Sequence, residues 1–362
     1  MNSRERLLKT INRETPDRPP VFATLTPQSA KMLSDNQNLL YEEPLDSLLS
    51  TRISHMDLLT HLGNDCVGIA GCAPNDFPTK KLDGGILINE WGMKFIDAGI
   101  YYEFYEYPLA HANSVDDIKN YKFPDPLADG RFDEAQKTID KYDKTHAIVA
   151  DLETVFFETS WYLVGLEKLL MDMALGEEYI HTLFDKVMEV NITIGKKLIE
   201  MGADVLWTGD DFGSQSNMLI APDMWRHYFK PRIKEMFQEF RSVNPDIKIA
   251  WHSCGSIIPI IPDFIEIGLD ILNPIQPLAA QMEPHFLKDN FGKELVFFGG
   301  IDIQDLMPNG TPQQIKAEVE KRINILGKDG GYIIAPAHNI QNDTSVENVL
   351  AFFDAVKNYP KV

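Results

Sequence analysis

The chain has 362 residues, 44% of them hydrophobic, which is ample for a large core, and its 34 Lys+Arg against 54 Asp+Glu give a formal net charge of −20. That charge repels phosphate backbones and anionic membrane surfaces, and the basic residues are dispersed rather than gathered, so nucleic-acid and membrane binding are set aside. No apolar run reaches a membrane-spanning length, and three cysteines, Cys66, Cys72 and Cys254, are too few for a disulfide framework, so a cytoplasmic protein with free thiols is expected.

Residues 1–19, "MNSRERLLKTINRETPDRP", read as a charged, helical N-terminal extension without the apolar core of a signal peptide. Short apolar runs that read as strands then follow: "PVFATL" (20–25), "DCVGIAG" (65–71), "AIVADL" (147–152) and "ADVLWTG" (203–209). Four more complete the series: "KIAWHSC" (248–254), "LDILNPI" (269–275), "LVFFGGID" (295–302) and "GYIIAPA" (331–337). Helical patterns lie between most of them, one opened by Thr311-Pro312 as cap and first helical residue. Eight strands alternating with helices predict a single-domain α/β fold over 1–362, a closed (β/α)8 TIM barrel. The stretch 84–108, "GGILINEWGMKFIDAGIYYEFYEYP", reads as an antiparallel β-hairpin inserted between the second and third barrel strands. A doubly wound open sheet is the alternative, but no glycine-rich dinucleotide turn follows "PVFATL".

In a barrel of this kind the chemistry sits at the C-terminal ends of the strands. Those ends carry Asp151 and Glu153, Asp210 and Asp211, His252 and Cys254, Asn273 and Gln276, Asp302, and His338 with Asn339. His252 and Cys254, two apart at the end of a strand, share one face while Ser253 points away. A buried thiol beside a satisfied core histidine is the simple reading of that pair. His338, on the same rim, would complete three ligands with an open fourth position, the arrangement of catalytic zinc, whose use would be to bind a thiol as thiolate. Asp210, Asp211 and Glu153 are the candidate catalytic carboxylates. Only one of the adjacent aspartates can enter the pocket, and loop capping is the competing role for either. Asn273, Gln276, Asp302, Asn339 and Trp207 are candidate substrate-binding residues, and Trp161 and Tyr162 candidate walls.

The stretches "RERLLKTINRETPDRPPV", "GDDFGSQSNMLIAPDMWRHYFKPRIKEMF", "HSCGSIIPIIPDFIEIGLDILNPIQ", "FFGGIDIQDLMPNGTPQQI" and "APAHNIQNDTSVENV" resemble the uroporphyrinogen decarboxylase superfamily along nearly the whole chain. The resemblance implies a (β/α)8 barrel and one of two activities: tetrapyrrole decarboxylation, or methyl transfer between a corrinoid protein and a thiol such as coenzyme M. Decarboxylases of the family hold their polycarboxylate with arginines after the first strand, where bidentate pairing needs them. Here that stretch is "VFATLTPQSAKM", without arginine. "HSCG" is similar to the His-x-Cys zinc motif of the methyltransferase branch. That branch usually supplies a cysteine near the end of the eighth strand, where this chain has His338, as the decarboxylases do. The implied zinc site is therefore His252, Cys254 and His338, one thiolate short, with Cys66 or Cys72 as substitutes that nothing in the pattern places there.

The resemblance thus implies a zinc-dependent methyltransferase acting between a corrinoid and a small thiol. No Asp-x-His-x-x-Gly motif is present, the nearest stretch being "DLLTHLGND" (57–65), so the corrinoid (cobalamin) is expected on a partner protein. A metal-independent decarboxylase or lyase, and a non-catalytic corrinoid- or thiol-binding protein, are the alternatives. The assembly state is open, a homodimer being one option.

Overall fold

The computed structural model describes residues 1–47, 52–99 and 101–360. Its strands, in chain order, are β1 (Cys66–Ile69), β2 (Lys80–Lys81), β3 (Leu87–Ile88), β4 (Lys94–Asp97), β5 (Tyr102–Glu106), β6 (Ala147–Thr154), β7 (Val205–Gly209), β8 (Lys248–His252), β9 (Ile271–Ile275), β10 (Val296–Ile301) and β11 (Tyr332–Pro336). Seven of them form one parallel sheet in the order β1-β6-β7-β8-β9-β10-β11, each strand beside its successor in the chain apart from the excursion β2 to β5.

The sheet is buried on both faces, which is why its strands read as continuous apolar runs rather than as alternations. Val205, Trp207, Ala250, Ile271, Val296, Phe298 and Ile333 belong to a cluster on its inner face, which Leu7 and Ile11 of the helix Ser3–Ile11 also join. The intervening residues, such as Leu206, Ile249 and Leu272, pack outward into the larger core shared with the helices.

The expected first strand, 20–25, forms no ladder. It makes isolated parallel bridges, Val21 with Ile334 and Leu25 with Ile340. Pro20 has no N–H to contribute, and side chains take over much of the pairing toward β1. Val21 and Ala23 donate their backbone N–H groups to the Asp65 carboxylate and the Asn64 side-chain carbonyl, and the Asn64 amide donates back to the Ala23 carbonyl. Asp65, fully buried, is held by Arg6 at 2.6 Å and Arg18 at 2.7 Å, so the charge in the seam is paired on both sides.

The insertion is larger than the two-strand hairpin expected over 84–108. Between β1 and β6 the chain builds a separate four-stranded antiparallel sheet, β2-β3-β4-β5, spanning Lys80 to Glu106. The two additional ladder partners are strands of two residues each, too short to leave a period-2 signal. Among the described residues no helix is long and apolar enough to cross a membrane.

Candidate metal centre

Strand register brings the first elements of the site together. β7 and β8 pair with Gly209 opposite His252, and β8 and β9 pair with His252 opposite Asn273. A Cβ at Gly209 would lie 2.1 Å from the His252 carbonyl oxygen, so only glycine lets the strands close at this level. The β8 ladder stops at His252, and the chain turns through Gly255 at φ +80°, a backbone that glycine adopts without strain. Cys254 nevertheless stays on the histidine's side: its Sγ is 3.4 Å from His252 Nε2. Ser253 points away and accepts the Phe212 backbone N–H.

One ligand atom each from His252, Cys254 and His338 lie within 4.8 Å of one another. Two ligands at zinc–nitrogen and zinc–sulfur distances with a tetrahedral angle between them are about 3.6 Å apart, close to the spacing of the His-Cys pair. Among the described residues, the Nδ1 of His338 is buried with no hydrogen-bond partner, an atom a metal site can use. Burial, then the neighbouring Arg52 guanidinium, lowers the His338 imidazole to about 4, and burial lowers that of His252 well below the usual range. Both rings are thereby kept neutral, the form that ligates. Burial, then Asp211 and Glu158, pushes the Cys254 thiol well above its ordinary value, so the sulfur stays protonated until a cation replaces the proton. The residue types, spacing and charge state fit a zinc ion. Cys66, on the inner face of the sheet, and Cys72, in a small separate cluster, do not join the group.

The adjacent aspartates divide as the extended backbone requires. Asp211 turns to the cluster: its Oδ1 accepts the Cys254 backbone N–H at 2.6 Å and lies 3.6 Å from His252 Nε2. Asp210 turns the other way and accepts the N–H groups of Phe156 and Glu158 at the start of the helix Phe157–Val164, which has no side-chain cap of its own. Burial raises Asp210 to about 7 and raises Asp211 as well, the latter opposed by the Cys254 N–H and Arg52.

Glu153 sits in a bulge of β6 at φ +54°, a left-handed conformation unusual for glutamate. Its carboxylate is 3.6 Å from Arg52, and Asp151 is 3.5 Å from the same guanidinium while accepting the Glu153 N–H. Asn273 bonds His252, Gln276 accepts the Gly255 N–H, and Asp302 caps the turn at 304–306 through three backbone N–H groups. Asn339 accepts from the Thr24 hydroxyl. Trp207 lies in the floor, 6.2 Å from the His252 ring, with Arg52 over its face at 4.4 Å. Tyr162 donates to Glu158, and Trp161 packs edge-on against Phe104 of β5.

Two residues of the site carry no signal in the sequence. Arg52 lies at no strand end, yet burial, which alone would lower its pKa, is outweighed by Glu153 and Asp151, and the guanidinium is held firmly charged. Glu158 is a helix residue whose Oε2 accepts the Asp211 N–H; burial, then Asp211 and Asp210, raises its carboxyl well above the usual range.

The family profile described as Uroporphyrinogen decarboxylase (URO-D) matches residues 97–359. The chain belongs to this family. A methylated-thiol–coenzyme M methyltransferase of Methanosarcina mazei is 26% identical over 65% of this chain and 59% of its own length. A methylcobamide:CoM methyltransferase MtbA of the same organism is 21% identical over 70% of each chain. A uroporphyrinogen decarboxylase of Chlorobium phaeovibrioides is 26% identical over 49% of this chain and 48% of its own. The chain thus spans between half and two thirds of the coenzyme M relative named first. A solved structure described as a methyltransferase from Methanosarcina mazei superposes with a TM-score of 0.74 over 99% of both chains at 21% identity, which establishes a shared fold.

Proposed function

We propose that this chain is a zinc-dependent methyltransferase that moves a methyl group between a corrinoid carried by a partner protein and a small thiol, built as one (β/α)8 barrel domain. The observation that carries the reading is the His252, Cys254 and His338 triangle at the C-terminal rim. The names of the two Methanosarcina mazei relatives, one a methylcobamide:CoM and one a methylated-thiol methyltransferase, support it.

Zinc held by these three residues would bind a thiol and lower its pKa toward neutrality. The chain's own residues do the rest. Asn273 orients His252 through Nδ1, leaving Nε2 toward Cys254. Asp211, beside both ligands, is the carboxylate to receive the thiol proton, and Glu158 holds the Asp211 backbone in position. Arg52 balances Asp151 and Glu153, keeping the floor of the site from accumulating uncompensated negative charge. The thiol sulfur then forms its bond to the methyl carbon as the carbon–cobalt bond breaks, with that bond's electron pair left on the corrinoid cobalt.

The test follows cobalt demethylation by absorbance, using methylcobalamin and a panel of thiols with and without a chelator. Demethylation that requires thiol and is lost on chelation and in Cys254→Ser supports the reading. A rate indifferent to both chelator and Cys254→Ser removes it. Uroporphyrinogen should not be decarboxylated, because Arg52, the cation in the floor, is engaged by two carboxylates of the chain itself.

A further inference from the structure

Beyond the metal cluster the rim opens into a cavity of about 370 Å³ that shares His338 with the site. Its walls come from four separate parts of the chain, the last being Ala337, His338 and Gln341 after β11. Tyr101, at the turn leading into β5, presents its ring edge to His338 at 6.4 Å, and its hydroxyl accepts the Gln341 side-chain amide. Gln276 and Leu278 follow β9, and Asp302 and Gln304 follow β10. The cavity is of the size that holds a small molecule, and it adjoins the metal cluster through His338.

The charge character of this wall is distinctive. Among the described residues, none that lines it is Lys or Arg. The acidic side chain among them is that of Asp302. It has already taken the backbone N–H groups of Gln304, Asp305 and Leu306, the donors that would otherwise receive an anion at this turn. A sulfonate, carboxylate or phosphate entering here would lose hydration, meet a like charge, and find no cation in these walls to pair with. Hydroxyl, amide or alkyl ends suit Tyr101, Gln304, Gln341 and Leu278.

Resting on the methyltransferase reading above, we propose that the thiol substrate of this chain carries no anionic group, and that the wall of Tyr101, Gln276, Asp302, Gln304 and Gln341 enforces this by offering neutral dipoles and one carboxylate. A coenzyme M type of acceptor, whose far end is a sulfonate, is disfavoured on this wall. Methyl transfer itself is unchanged: the S–H proton goes to Asp211, the sulfur–carbon bond forms, and the carbon–cobalt bond breaks onto cobalt.

The test compares 2-mercaptoethanol with coenzyme M, which share the same two-carbon thiol stem and differ in the end group. On the zinc-loaded full chain with methylcobalamin as donor, kcat/KM for 2-mercaptoethanol should exceed that for coenzyme M at least about tenfold, the ratio that one lost charged hydrogen bond commonly represents. Calorimetric titration of each thiol into the zinc-loaded chain, without methylcobalamin, should show the same order of affinity. Gln304→Arg, an exposed position that tolerates a long side chain, should raise kcat/KM for coenzyme M relative to 2-mercaptoethanol. Coenzyme M binding and reacting as well as or better than 2-mercaptoethanol would overturn the proposal. Turnover with neither thiol would instead remove the methyltransferase reading, while the binding order would still decide the preference of the cavity.

Discussion

Asn273 accepts a hydrogen bond from the Nδ1–H of His252 at 2.6 Å, between residues that face each other across β8 and β9. The Asn273 amide donates to the Phe298 carbonyl, so its Oδ1 is the atom turned to the ring. An oxygen that can only accept fixes the proton on Nδ1 and leaves the Nε2 lone pair directed toward Cys254.

Asn273→Leu should therefore weaken zinc binding by about 10- to 100-fold while leaving all three ligands in place, whereas Asn273→Asp should retain affinity because the carboxylate still accepts. Titration against a competing chelator measures both. Equal affinities in wild type and Asn273→Leu would show that the tautomer is set elsewhere.

His252→Ala and Cys254→Ser should each reduce bound zinc to about a tenth of the wild-type content or less after dialysis, since two protein ligands hold the ion poorly against buffer. Elemental analysis of protein purified without an affinity tag provides the measurement. Full occupancy in both variants would mean that the triangle is not the zinc site.

The two aspartates should separate cleanly. Asp210→Ala leaves two helix N–H groups buried without an acceptor and should cost about 2 kcal/mol in urea unfolding. Asp211→Asn should fold normally and keep zinc but lower thiol-dependent kcat/KM by about 100-fold, the usual contribution of a positioned proton acceptor. Reversed phenotypes would reassign the pair.

His55 offers a pH test away from the metal cluster. Burial lowers its imidazole from 6.5 to about 4. Because the folded-state value lies below the unfolded one, the stability tied to the neutral ring is complete above pH 6.5 and is lost as pH falls toward 4, by about 2 kcal/mol between pH 7.5 and 5. His55→Asn, which tolerates the left-handed backbone at φ 63°, should flatten that dependence in urea unfolding at the two pH values. A wild-type slope equal to that of the variant would show that His55 does not contribute.

The parallel sheet and the rim are legible in the sequence because both are written locally. A strand buried on two faces is a short apolar run, and seven such runs are the ladder strands of the parallel sheet. Residues two apart on a strand share a side, which singles out His252 with Cys254 in the sequence, although the β8 ladder stops at His252 and Cys254 lies beyond it. His338 falls on the same rim because a parallel sheet puts the C-terminal ends of its strands on one side.

The tertiary structure decided what depends on partners distant in the chain. Arg52, from no strand end, meets Asp151 and Glu153 from β6, and that pairing decides whether the floor of the site is an anion receptor or a neutralised wall. Asp211 rather than Asp210 faces the ligands because the helix starting at Phe157 takes Asp210 as its missing cap. The 20–25 run lost its ladder to the side chains of Asn64 and Asp65, and the insertion gained two strands too short to leave a periodic trace. Periodicity reports which face a side chain takes. Which atom it bonds is set by strand register and helix docking, interactions between residues tens to hundreds of positions apart that no local pattern encodes.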